Sequence, residues 1–216
     1  MILMNIIVER YRPYVRHREF WFSLVLSTLL LIGSLFVNYF AGTYATLHES
    51  NSVTDLILSN IRVYDVDFVF VWGAIAFWVL LISLFLFEPK KIPFTLKSVA
   101  LFVLIRALFV SLTHIASFPT QVHIDLTGII SYFTFGGDLF FSGHTGLPFL
   151  AALVFWKNLR LRIIFLALSV LFAFVVLMGH LHYSIDVLSA YFITYGIWVL
   201  AEKFFKKDLL LFNREM

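Results

Sequence analysis

Two short polar stretches interrupt an otherwise apolar chain: Gly136-Gly-Asp-Leu-Phe-Phe-Ser-Gly-His-Thr145 and Gly179-His-Leu-His-Tyr-Ser-Ile-Asp-Val187. In the second, His182 and Asp186 are four residues apart at the head of an expected helix, so they project from one face about a turn apart. A carboxylate so placed accepts the N–H of one imidazole nitrogen and leaves the other as a nucleophile. The same spacing also suits a purely structural pair that ties two helix ends together. In the first, Ser142-Gly-His-Thr145 opens an expected helix, whose N-terminal amides and dipole favour an anion. His144 is then placed to pass a proton to a leaving oxygen, with Ser142 and Thr145 as hydroxyl donors. The plainer alternative is an N-cap, with Ser142 satisfying orphan amides. Taken together, the two stretches read as halves of one phosphoryl-transfer site at a membrane surface.

The elements that must position them are apolar. With 61% hydrophobic and only 13% charged residues, the chain has runs long enough to cross a bilayer, which takes about 20 residues per helix. The expected fold is an all-α integral membrane bundle of six transmembrane helices, residues 1–216 forming one membrane domain. The spans are expected near 20–41, 68–87, 98–118, 142–156, 163–178 and 183–201. Residues 1–19, with four arginines and Pro13, read as a basic interfacial segment. No small-residue cleavage site precedes the first apolar run, so that run is expected to be retained as a helix.

Charge sets the expected orientation. Of 16 Lys and Arg, 14 fall before the first span, between spans two and three, between four and five, or after six. Only Arg62 lies in an opposite loop, and Arg106 lies within a span. Both termini are therefore expected in the cytoplasm and both polar stretches on the outer face. The net charge of +3 is accounted for by these flanks, so nucleic acid is not an expected partner. Without cysteine, neither a disulfide nor a thiolate metal site is available.

Arg106 is costly inside a membrane and is functional by default there. With Thr113 seven residues further on, it could clamp phosphate oxygens; a structural pairing with Asp125, Asp138 or carbonyls is the alternative. A metal held by His144, His180, His182 and Asp186 is chemically competent. His180 and His182, two apart, would diverge on a helix, and no metal is expected. His17, His48, His114 and His123 read as surface or packing residues.

The stretches 137–145 and 180–194 closely resemble the two signatures of sphingomyelin synthases, a branch of the lipid phosphate phosphatase (type 2 phosphatidic acid phosphatase) superfamily. The resemblance spans about Arg106 to Thr194, within an expected catalytic core of 98–204. It implies a metal- and cofactor-free phosphotransferase moving phosphocholine or phosphoethanolamine from a phospholipid donor to a lipid alcohol such as ceramide. In that scheme His182 forms a phosphohistidine, Asp186 orients it, and His144 protonates the departing oxygen and then deprotonates the acceptor. Arg106 and Ser142 hold phosphate oxygens, Asp138 steers His144 or a headgroup cation, and Tyr183 contacts substrate. Tyr132, Phe133, Phe135, Phe140, Phe141 and Tyr183 could cradle a quaternary ammonium.

Two departures bear on the branch. Val175 and Val176 stand where the broader phosphatases carry a Ser-Arg pair, and Phe109 stands where the synthases tend to have threonine. The absence of cysteines, of an N-glycosylation sequon and of an extra N-terminal domain implies a compact bacterial relative in the inner membrane, its site facing the periplasm or outside. Alternatives are a lipid phosphate or polyprenyl diphosphate phosphatase that uses water, and a non-catalytic lipid-binding or transport protein.

Overall fold

The structure is a computed structural model that describes residues 2–122 and 139–213. Among them every regular element is helical: α1 (Ile2–Val15), α2 (Arg18–Leu47), α3 (Asp67–Phe87), α4 (Ile92–Leu112), α5 (Gly143–Val154), α6 (Leu159–Met178), α7 (Ser184–Phe204) and α8 (Lys206–Asn213). Five of the described helices are long and apolar enough to cross a membrane: α2, α3, α6, α7, and α4 with the turn before it. At 12 residues, α5 is shorter and reaches only about 18 Å. It starts at Gly143, capped by Ser142, close to the expected position.

The first expected span runs on to Leu47, six residues past its expected end, and the third is shifted as a whole. It begins at Ile92 and ends at Leu112, about six residues earlier than the sequence pattern implied. Pro93 sits in the first turn of α4, where a missing N–H breaks no helical hydrogen bond, so the helix runs through it. Thr113 consequently leaves the helix as its extended C-cap, and its hydroxyl donates to the Phe109 carbonyl at 2.9 Å. The expected stacking of Thr113 over Arg106 along one helix face is therefore not observed.

α2 packs along α4, and α5 packs against α6 and α7, while α3 touches α6. The core is aromatic: Phe94, Phe102, Phe141, Phe165 and Phe172 are fully buried. Outward faces carry exposed Leu, Ile, Val and Phe, as lipid-facing helices must.

At the end of the bundle opposite the polar stretches, α1 closes the foot of α3. Tyr11 donates to the Phe85 carbonyl at 2.9 Å and Arg10 to that of Phe87 at 3.0 Å, satisfying acceptors that the helix end leaves open. Nearby, Lys97 of α4 meets Asp208 of α8 at 2.6 Å and Ser23 of α2 at 3.0 Å, and Ser23 also donates to Asp208. Lys97 and Asp208 are almost fully buried, so each charge relies on the other.

Removing one partner of a buried pair costs about 3–5 kcal/mol, whereas replacing both by apolar residues can be neutral. Lys97→Met is therefore expected to lower the melting temperature in detergent clearly, and Lys97→Met with Asp208→Leu to recover most of the loss. Equal destabilisation by the single and the double variant would show that the pair is not what holds this corner.

Candidate active site

The turn between α6 and α7 fixes the geometry of the second polar stretch. It is a Schellman closure: the Leu181 amide donates to the Val176 carbonyl at 2.8 Å and the His180 amide to that of Leu177 at 3.0 Å. The left-handed position falls on His180, with φ 52°, where glycine is usual. Contacts of its ring hold it there. Nδ1 lies 2.6 Å from the Thr120 hydroxyl, and the ring meets Phe118 edge-on at 5.3 Å. Burial lowers the His180 pKa, opposed by the nearby Asp55 carboxylate, so the imidazole is favoured neutral. Gly179 is required for space: a Cβ there would come within 2.4 Å of Val66.

His180 thus turns toward Thr120 while His182 turns toward Asp186. Nδ1 of His182 lies 3.5 Å from Oδ2 of Asp186, just beyond hydrogen-bond length. Oδ2 is taken by the Tyr183 amide at 2.9 Å, in a capping arrangement at the start of α7. His182 Nδ1 and Asp186 Oδ1 are both buried without a hydrogen-bond partner. A slight closure of that 3.5 Å separation gives Nδ1 its acceptor at Oδ2, as catalytic contacts commonly tighten when substrate binds. With Nδ1 turned to the carboxylate, the other ring nitrogen is the one left to react.

The first polar stretch is tied directly to the second. The Ser142 amide donates to the Asp186 carbonyl at 3.2 Å, placing the start of α5 beside the start of α7. The Ser142 hydroxyl oxygen accepts weakly from the Thr145 amide at 3.4 Å, as an N-cap does. His144, on the first turn, stacks on Phe70 with centroids 3.9 Å apart and meets Phe172 edge-on at 5.6 Å. From α4, Arg106 donates through Nε to the Phe141 carbonyl at 2.9 Å, which brings its guanidinium beside Gly143. Close approach explains Gly146 as well: a Cβ would lie 2.7 Å from the buried Phe102 ring and 2.9 Å from the Thr194 hydroxyl.

Arg106, Gly143, His144 and His182 line the head of one cavity of about 710 Å³. It continues between α2, α3 and α4 as far as Phe85, Ile92 and Thr95 near the opposite end of the bundle. Ser142 is fully buried at the α5 terminus. Tyr183 is buried too, and its hydroxyl is engaged by backbone: it donates to the Ala116 carbonyl at 2.8 Å and accepts from the Val53 amide at 3.2 Å. Asp138, with Asp125, His123, Tyr132, Phe133 and Phe135, lies outside the described residues. Among the described residues, no three His, Asp or Glu gather closely enough to hold a metal ion.

One residue that the sequence did not single out joins this site from a distance. Asp55, in the connection between α2 and α3, is buried and accepts from the Ser184 amide at 2.7 Å and the Ser184 hydroxyl at 2.8 Å. It also accepts from the amides of Ile57 at 2.8 Å and Leu58 at 3.0 Å. Burial alone would raise its pKa, but these donors hold the carboxyl below its ordinary value of 3.8. The clamp is therefore intact above the ordinary carboxylate range and is released only as pH falls through that lowered pKa. No local motif marks Asp55, because its key partner is 129 residues away.

The arrangement is that of a helical, membrane-embedded protein with a His/His/Asp/Arg site at one end of its bundle. Residues 136–203, which include both polar stretches, match the family model described as PAP2 superfamily C-terminal. Over these residues the chain is similar to the PAP2, or lipid phosphate phosphatase, superfamily. Searches of curated proteins and of solved structures returned no match.

Asp55→Ala leaves the Ser184 amide and hydroxyl without their acceptor and loosens the helix that carries Asp186. Turnover of a lipid phosphate substrate is expected to fall about tenfold or more, as small misplacements of reacting groups do, with a smaller loss for Asp55→Asn. Unchanged turnover in both variants would remove Asp55 from the site's support.

Proposed function

We propose that this protein is a lipid phosphotransferase that moves a phosphorylated headgroup, phosphocholine or phosphoethanolamine, from a phospholipid to a lipid alcohol such as ceramide. The observation that carries this reading is the cavity. Its head joins His144, His182 and Arg106, while its body is a long, chiefly hydrocarbon and aromatic sleeve suited to acyl chains rather than to a soluble phosphate.

In the proposed sequence, the free ring nitrogen of His182 attacks phosphorus, forming a P–N bond as the P–O bond to the diacylglycerol oxygen breaks. His144 gives its proton to that oxygen. The acceptor hydroxyl then enters, loses its proton to His144 and attacks phosphorus, which breaks the P–N bond and restores both histidines. Asp186 holds the His182 tautomer and stabilises the charge that develops on the ring. Arg106 and the amides at the start of α5 are assigned to the phosphate oxygens, and the buried Ser142 hydroxyl caps the helix that presents those amides. Tyr183 serves by holding the loops, and Asp138 is assigned to His144 or a headgroup cation.

The Phe70 and Phe172 rings beside His144 support transfer over hydrolysis, because they keep water from the reacting centre. Basic residues at the opposite end of the bundle support a cytoplasmic location for that end, with α5 as the sixth, short span and the site on the outer face. A compact bacterial inner-membrane enzyme of the sphingomyelin synthase-like branch fits these features.

The test uses purified protein in mixed micelles with headgroup-labelled phosphatidylcholine or phosphatidylethanolamine, with and without ceramide or diacylglycerol. Label is expected in a new lipid only when acceptor is present, and His182→Ala is expected to lower its formation by at least about 10³-fold. Release of label to water, equally dependent on His182, would establish a hydrolase. Full turnover by a folded His182→Ala protein would overturn the assignment.

A further inference from the structure

Below its reacting head, the cavity wall is hydrocarbon and aromatic except for Asn38, Thr95 and the indole edge of Trp78. Thr95 is satisfied internally, donating to the Lys91 carbonyl at 2.8 Å. Asn38 is different. It is half-buried in the middle of α2, and among the described residues its side chain has no hydrogen-bond partner. A carboxamide within a membrane-spanning helix is costly unless something bonds to it, and usually a neighbouring helix does so. Here α4 packs along α2 but offers Asn38 no partner, and the residue joins Leu31 and Leu35 on the stripe of α2 that faces the cavity.

Its depth is informative. Ala41 and Ala45 of α2 pack with Ala107 and Val110 of α4 in one buried cluster, which sets the level of the two helices. Asn38, three residues before Ala41, lies about 4.5 Å further from the reacting end than that contact. Arg106, one residue before Ala107, starts from nearly the level of that contact and donates to the Phe141 carbonyl at 2.9 Å. The backbone of Asn38 therefore stands about 3 Å further from the reacting end than that of Arg106, and both residues line the same cavity. In a membrane lipid that position, between phosphate and acyl chain, is filled by the carbonyl that joins chain to backbone.

We propose that Asn38 is a hydrogen-bonding subsite for this linkage carbonyl, the ester of a glycerophospholipid or the amide of a sphingolipid, with the carboxamide N–H as donor. The inference rests on the lipid reading of the cavity. The site then selects for lipid backbone chemistry as well as for phosphate.

The test compares diacyl phosphatidylcholine, its dialkyl ether counterpart and sphingomyelin, with both bound occupancy and turnover measured on wild type and Asn38→Leu. Native mass spectrometry of the full chain, released from detergent with each lipid added, reads occupancy without requiring turnover. Leucine suits a membrane span better than asparagine, so the variant is expected to fold, and Asn38→Ala provides a second, smaller replacement. Wild type is expected to retain a carbonyl-bearing lipid over the ether lipid by roughly fivefold, the worth of one hydrogen bond. Both variants should retain all three lipids alike, and which carbonyl lipid wild type prefers identifies the source.

A preference that survives in the variants, or one absent from wild type, would overturn the subsite. An occupancy preference lost with Asn38, in a protein that turns over none of the lipids, would leave the subsite standing and contradict the proposed transfer reaction instead.

Discussion

Everything at the reacting end depends on how Asp186 is shared between two helices. Its Oδ2 accepts the Tyr183 amide and so caps α7, and the same oxygen faces His182 Nδ1 at 3.5 Å. Its main-chain carbonyl accepts the Ser142 amide and so seats the start of α5. A single residue therefore sets the direction of the His182 ring and the place of the helix that carries His144. Arg106 joins through the Phe141 carbonyl, one residue before Ser142, so all the proposed catalytic groups are referred to one junction.

The junction sits where a membrane protein can accommodate irregular backbone. The loops over it satisfy one another: Tyr64 donates to the Met178 carbonyl, Val122 to that of Gly179 and Ser50 to that of His114. Asp55 completes this cover by bonding the Ser184 amide that the α7 terminus leaves open. Below the cover the chain reverts to hydrocarbon, and the cavity passes from charged head to apolar body within one bundle. That gradient matches an amphipathic substrate held upright, its phosphate at the polar end and its chains among Phe, Leu and Ile side chains. Asn38 adds a polar step at the depth where such a lipid is itself polar.

The parts legible in the sequence were those written locally. Polar islands in an apolar chain located His144, His182 and Asp186, and the Ser-Gly-His sequence marked the start of α5 to within a residue. Hydrophobic runs located α2, α3, α6 and α7, because lipid-facing helices must be apolar over their whole length. The start of α4 was obscured by Pro93, which ends one helix or opens the next with equal ease. Asp55 was illegible because its role exists only when loop and helix meet. Asn38 carried a local signal, a lone amide in an apolar run, but its meaning needs the cavity on the face it occupies. The left-handed turn fell on His180 rather than on the adjacent Gly179, since glycine there answers the crowding by Val66.

The central claim is that His182 becomes covalently phosphorylated while Asp186 and His144 serve it from either side. The most direct measurement is rapid acid-free quenching of the protein with phosphate-labelled donor lipid in the absence of acceptor, followed by peptide mass spectrometry. The account predicts a headgroup phosphoramidate on His182, labile to acid and stable to base, which disappears when acceptor lipid is added and never forms in His182→Ala. Turnover without any modified histidine under these conditions, or label carried by another residue, would contradict it.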